Sequence, residues 1–331
     1  MKPRNRILVG DARTTLARLA PASIDTVITS PPYYALRDYG VPGQLGLEDN
    51  VQAWVDDLRL VARGLARVLR PTGSLWLNLG DAYSRHRCYG APPKSLLAGP
   101  ERLLLSLLDD GWVLRNKVVW AKTNPQPSSV ADRLSATWEA VYLLARGPKY
   151  FFDLDAIRIP HRSARSQPSH ATQEPPRTPP SWAGPLAGAN DGLLRLKAKG
   201  LPGNPLGKNP GDVWTMATAG FRGAHFATFP PALVERPLRA TCPERVCTAC
   251  GGAWRRQGYR VRTQGRLRPT CGCEKPWQPG LVLDPFMGAG TVGLVAERLG
   301  RNWLGIELNP AFARLASERI DAQRGEQRRA A

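Results

Sequence analysis

The chain lacks the marks of a secreted or membrane protein. None of its 331 residues fall in an apolar run approaching the roughly 18 needed to span a bilayer. The opening MKPRNRILVGDA has no apolar stretch of signal-peptide length. A soluble cytoplasmic chain with no membrane partner is expected. Acid is also scarce: 27 Asp and Glu face 46 Lys and Arg, a net charge of +19. Among those 46, only nine are Lys and 37 are Arg. A high-GC genome would explain the Arg-to-Lys ratio but not the excess of base over acid. That excess predicts a polyanionic partner, of which nucleic acid is the commonest, and Arg suits bidentate phosphate and guanine contacts. Cysteine is sparse, with six residues, five of them between 242 and 273 and Cys88 apart. Without a secretion signal this excludes a disulfide framework, and the clustering points to metal. There is no internal repeat.

What is present is a hydrophobic fraction of 42%, enough for a substantial core. Residues 6–9 and 24–29 read as strands, the second stopped by Ser30-Pro31-Pro32. Val51, Trp54, Val55, Leu58, Val61, Leu65 and Leu69 recur at helical spacing. Pro71-Thr72-Gly73 ends that helix, and 74–79 is the next strand. Residues 100–108 predict a helix; 112–120 and 140–144 predict strands. The alternation predicts an α/β fold, a mostly parallel sheet with helices on its faces. Residues 161–211 are rich in Pro, Ser, Gly and Arg and offer no core stripe, so loop or disorder is expected. The α/β pattern returns at 281.

There, 281–284 predicts a strand, followed by a glycine turn, a helix to about 299, and a strand ending at Glu307. Glycines let backbone approach a ligand at a helix N-terminus. Glu307, 19 positions after Gly288, suits a ribose diol at about the spacing of a nucleotide fingerprint. Only 24 residues follow Glu307, too few to complete a doubly wound sheet. The remaining strands must come from the N-terminal half, giving one sheet in permuted order. Gly288, Gly290 and Gly293 also match GxGxxG, so a nicotinamide-dependent oxidoreductase is an alternative, but one that leaves Ser30-Pro31-Pro32-Tyr33 without a purpose.

Ser30-Pro31-Pro32-Tyr33 leaves a buried strand into a turn whose prolines fix φ and remove two donors. It presents a hydroxyl, a carbonyl and an aromatic ring, a holder for a planar heterocyclic amine. Ser30-Pro31-Pro32-Tyr33 together with Asp284-Pro285-Phe286-Met287-Gly288-Ala289-Gly290 resembles the amino-methyltransferase family of DNA-modifying enzymes. The order of the two motifs resembles its β group, and the likeness covers about 1–150 and 208–320.

The resemblance implies a Rossmann-like S-adenosylmethionine-dependent methyltransferase fold and double-stranded DNA as partner. Ser30, Pro31, Pro32 and Tyr33 would hold and stack a flipped base. Asp11, Thr29, Asp284, Phe286, Gly288, Gly290, Thr291 and Glu307 would hold the cofactor. Residues 225–230 resemble the stretch that touches its methionine end, and 209–214 also look typical of the family. Ser in first place implies the N4 amine of cytosine as target, with the N6 amine of adenine as alternative. The absence of a Pro-Cys pair agrees, since methylation at cytosine carbon 5 needs a thiolate that follows a proline in that family. Whether a cognate restriction endonuclease accompanies the chain stays open.

Cys247-Thr248-Ala249-Cys250 and Cys271-Gly272-Cys273 offer four thiolates in two short pairs, which suits structural zinc; Cys242 is a fifth candidate. The domain organisation is then 1–150 as the catalytic half, 151–240 as a target-recognition region, partly disordered, 241–279 as a zinc-binding insert, 280–320 as the cofactor half, and 321–331 as a flexible tail. A zinc-containing DNA-binding protein without catalysis is a further alternative. Asp81 either lines the pocket or caps the next segment. Arg37-Asp38 orders its turn or touches DNA.

Overall fold

The computed structural model describes residues 4–160, 204, 206–219, 229–257 and 265–330. Of the loop or disorder expected at 161–211, residues 161–203 and 205 lie outside these residues, as do 225–228 of the cofactor contacts expected at 225–230. The chain divides into two compact units, Met1–Asp153, Gly211–Arg255 and Arg268–Ala331 forming the first, Leu154–Pro210 and Arg256–Leu267 the second. In the second unit a turn at Leu154–Ala156 is followed by an Arg158–Asp155 ion pair at 2.6 Å and a bridge between Ile159 and Lys208.

The first unit is a sheet with helices on both faces. Its strands are β1 (Arg6–Val9), β2 (Ile24–Thr29), β3 (Leu69–Leu79), β4 (Val113–Lys122), β5 (Trp138–Ala145), β6 (Val213–Met216), β11 (Leu281–Asp284) and β12 (Asn302–Glu307), in the order β1-β12-β11-β2-β3-β5-β4-β6. All neighbouring pairs are parallel except those of β5, which runs against β3 and β4. The last two strands thus lie between β1 and β2. Side chains alternate between faces: Leu75, Leu77 and Leu79 enter one core, Trp76 the other.

The first core is covered by α1 (Ala12–Ala17), α2 (Val51–Val68) and α3 (Gly99–Asp109). The α2 stripe read from spacing is buried along its length, and Asn50 caps the helix by accepting from the Ala53 N–H at 2.9 Å. The second core is covered by α4 (Pro231–Thr241), α5 (Thr291–Arg298) and α6 (Pro310–Ala330). Thr241 anchors α4 by accepting from Trp76 Nε1 and bonding Thr26, both at 3.0 Å.

Residues 213–216 and 231–241 form β6 and α4 of the first unit. β3 starts at Leu69, because Leu69 pairs with Ile24 before a shift in register restores pairing at Ser74. The tail is helical to Ala330: Gln323 donates to the Leu294 carbonyl, and Arg324 bonds Glu297 and Asp321.

Smaller strands carry the cysteine segment. β7 (Val246–Cys247) pairs with β10 (Trp277–Gln278), and β8 (Arg255–Gln257) with β9 (Arg266–Arg268). Gly251 lies against the Arg70 guanidinium, which pairs with Asp25 of β2 at 2.9 Å. Asp25 also accepts from the Leu281 N–H at 2.8 Å.

Candidate functional site

Parallel strands bring their carboxyl ends to one edge, where α/β sheets bind ligands. β1, β2, β11 and β12 deliver Asp11, Ser30, Pro285 and Glu307 there. β3 and β4 run the same way and deliver Asn78 and Lys122, while antiparallel β5 begins at that edge with Glu139. These residues line one cavity of about 630 Å³, the size of a pocket for a small organic ligand. The tetrad loop and the glycine bend therefore open onto the same space.

Asp11, Ser30, Pro31, Pro32, Tyr33, Phe286, Gly288, Thr291 and Glu307 line the cavity. Thr29, Asp284 and Gly290 stand behind it. Thr29 Oγ1 donates to Asp284 Oδ1 at 2.7 Å, and the Phe286 N–H donates to the same oxygen at 3.0 Å. This ties the end of β2 to the loop after β11. Burial pushes the Asp284 carboxyl up to about 7, against the pull of those two donors. Gly290 caps α5 at φ +78°, and a Cβ there would meet Ala316 at 2.9 Å, so the turn and the packing of α6 both require glycine.

Glu307 Oε2 accepts from the Gly288 N–H at 2.7 Å and Oε1 from the Asn309 N–H at 2.9 Å. Burial raises its carboxyl above the usual range, while those N–H groups pull it down. A carboxylate offers about four acceptor positions, so capacity remains for a ligand's hydroxyls. Asp11 caps α1 through the Arg13 N–H at 2.7 Å and pairs with the Arg13 guanidinium at 2.6 Å. Phe286 and Phe312 give the cavity aromatic walls.

The tetrad loop is held from outside by Trp54 Nε1, which donates to the Pro32 carbonyl at 2.9 Å. The Tyr33 ring lies over Gly80, where a Cβ would come within 2.7 Å of it. Ser30 Oγ donates to Tyr33 Oη at 3.2 Å, and Tyr33 Oη donates to Glu139 Oε2 at 2.6 Å. Asn78 Nδ2 reaches Tyr33 Oη at 2.7 Å, Glu139 Oε2 at 2.8 Å and Ser30 Oγ at 3.3 Å. Lys122 Nζ donates to Glu139 Oε1 at 2.5 Å. Burial, then the neighbouring Glu139 charge, pushes the Tyr33 hydroxyl well above its ordinary value.

Sequence reasoning missed Asn78, Lys122 and Glu139 as site residues. The available signal was a polar residue near the end of each of three apolar strands. Asp81 does not line the cavity; it accepts from the N–H groups of Ala98 and Gly99 at the start of α3. Arg37 lines the cavity, and Asp38 orders its turn by accepting from the Gly40 N–H at 2.7 Å.

The Sγ atoms of Cys247, Cys250, Cys271 and Cys273 all lie within 4.8 Å of one another. The strand pair β7–β10 and the turn after Cys247 bring them together, the Gly251 N–H donating to the Cys247 carbonyl. Backbone N–H groups of Cys250 and Ala249 lower the Cys247 thiol to about 7. Cys242 is not among the four; it is buried in the second core. Among the described residues no helix is long and apolar enough to cross a membrane.

Comparison with known proteins agrees with this geometry. The chain is 34% identical to the type II methyltransferase M.SmaI of Serratia marcescens over 95% of its own length and 90% of the relative's. It is likewise 34% identical to M.XycI of Xanthomonas campestris pv. cyanopsidis, over 95% and 87%. The fold matches PvuII DNA methyltransferase (cytosine-N4-specific) with a TM-score of 0.58 and 19% identity, covering 98% of this chain and 92% of that one. It also matches the putative DNA modification methylase TTHA0409 of Thermus thermophilus, complexed with S-adenosyl-L-methionine, with a TM-score of 0.55, 23% identity and coverage of 96% and 93%. The DNA methylase family profile (N6_N4_Mtase) matches residues 24–318, and with it the chain belongs to the N6/N4 family of DNA methyltransferases.

Proposed function

We propose that this methyltransferase acts on the N4 amine of cytosine in a specific duplex sequence, with S-adenosylmethionine as methyl donor and the target base turned out of the helix. The observation that carries the reading is a shared cavity walled by Ser30–Tyr33 on one side and Pro285–Ala289 on the other. Bound there, S-adenosylmethionine supplies a methyl group on a sulfonium. The residues fit it: Glu307 retains acceptor capacity for a ribose diol, Phe286 and Phe312 offer faces to an adenine, and Asp11, Gly288 and Thr291 complete the wall. Thr29, Asp284 and Gly290 hold that wall from behind.

Turning a base out of the stack costs a few kcal/mol. Ser30 Oγ and the Pro31 carbonyl then accept from the amine hydrogens, which draws the nitrogen lone pair out of ring conjugation, and Tyr33 with Pro32 gives the ring a rigid support. Catalysis on this reading is positioning and electrostatics. Serine at the first tetrad position favours cytosine over adenine N6, and the PvuII enzyme of the same fold is named cytosine-N4-specific. The placement of β11 and β12 between β1 and β2 supports a permuted order of the methyltransferase sheet.

The four clustered thiols support a structural zinc ion, the donor set and spacing being those of a tetrahedral site. Residues outside the first unit are the natural place for target recognition. The relatives' type II names support a restriction–modification setting with a cognate endonuclease. Mass spectrometry of nucleosides from DNA incubated with the protein and S-adenosylmethionine tests the reading. 4-Methylcytosine is expected; 6-methyladenine would transfer the same mechanism to adenine, and neither product would overturn it.

A further inference from the structure

The hydrogen-bond chain that ends at Ser30 has a direction, and a carboxylate sets it. An ionised Glu139 has no proton to give, so Lys122, Tyr33 and Asn78 all donate to it. With its own proton committed to Glu139 at 2.6 Å, the Tyr33 oxygen can only accept, and it accepts from Ser30 at 3.2 Å. The Ser30 proton is thereby committed to Tyr33, and beside the contact from Asn78 Nδ2 at 3.3 Å a lone pair is left to accept from an incoming amine. Asn78 shows the same polarity. Its amide turns both hydrogens toward this cluster, although that leaves its buried Oδ1 without a hydrogen-bond partner among the described residues.

We infer that Glu139, acting through Tyr33, is a positioning residue that makes Ser30 an obligate hydrogen-bond acceptor toward the substrate amine, and that Lys122 fixes the Glu139 carboxylate in place by donating to its other oxygen. The inference rests on the amine-methylation reading above. A protonated Glu139 would donate to Tyr33, Tyr33 would donate to Ser30, and the Ser30 hydrogen would point at the amine hydrogens it is meant to accept. The charged and titratable groups facing Glu139 are Lys122 at the end of β4 and Tyr33 on the tetrad loop; Asn78 on β3 is neutral. The Tyr33 hydroxyl keeps its proton across the working range, because burial and Glu139 raise it.

The test is the single-turnover rate of methyl transfer to DNA, with DNA affinity measured beside it, in the full chain. Glu139→Gln, whose amide can donate as well as accept, should slow transfer by about 100-fold, the scale of losing one organised polar contact at a reacting group, with DNA affinity unchanged. Lys122→Met removes the donor to the other carboxylate oxygen and should slow transfer less, by about 10-fold, again at unchanged DNA affinity. A Glu139→Gln protein with the wild-type rate would overturn the inference, as would a loss of rate matched by an equal loss of DNA affinity. If Glu139→Gln does not fold, the rate and affinity of Lys122→Met decide alone. Wild-type protein that methylates no base amine would instead sink the underlying reading.

Discussion

One hydroxyl, on Ser30, bonds both Tyr33 and Asn78 at the end of the cluster that Glu139 organises, which makes it the most informative residue to remove. Ser30→Ala should lower turnover by about two orders of magnitude while DNA binding holds; equal losses in kcat and in affinity by filter binding would assign Ser30 to binding alone. Asp284 gives a second handle. Its carboxyl is raised from 3.8 to about 7 by burial, so the native state binds more protons than the unfolded state between those values. Stability should therefore fall as pH rises from about 4 to about 7 and level off above. Asp284→Asn keeps an acceptor for Thr29 and Phe286 and should flatten that slope in thermal melts taken across the window. Ser30 and Tyr33 were legible in the sequence because two prolines between them announce a rigid turn at a strand end. Lys122 and Glu139 were not, because each is a single polar residue at the margin of an apolar strand. They meet only through the β4–β5 register, which pairs Trp120 with Glu139, and no local spacing encodes that pairing.

Among the elements, α2 was readable almost residue by residue, since a half-buried helix writes its contacts into a period of 3.6. Leu65 sits near the C-terminal end of that stripe, 3% exposed, and Leu65→Ala should cost about 2–5 kcal/mol in urea denaturation through lost burial and a cavity. The same helix reaches the tetrad loop through Trp54, so damage there should also slow catalysis. The direction of β5 was not readable: an apolar strand looks the same whichever way it runs, and only its partners decide. The helical state of the residues after 320 was not readable for a related reason. Residues 321–330 carry little apolar content, and the helix is held instead by polar pins from Gln323 and Arg324 to α5.

At the scale of the whole molecule, the cysteine cluster predicts metal content. Protein purified without added metal should contain about one zinc per chain, and Cys250→Ser should lose it and melt at lower temperature, since a structural ion contributes folding energy directly. Atomic emission spectroscopy and a melting curve check both; a metal-free wild type would remove the assignment. The loss should reach the sheet as well, because Gly251 leans on Arg70 and Arg70 on Asp25. The interleaved strand order has a further consequence for how the protein is made. β2 acquires its β11 neighbour only after more than 250 further residues have been synthesised. Until then the nascent chain carries an open apolar edge at what will become the centre of its sheet. Long-range pairing of this kind folds slowly and exposes sticky edges, so maturation waits on translation of the segment from Leu281 onward, and premature termination before it should yield aggregate rather than a smaller working enzyme.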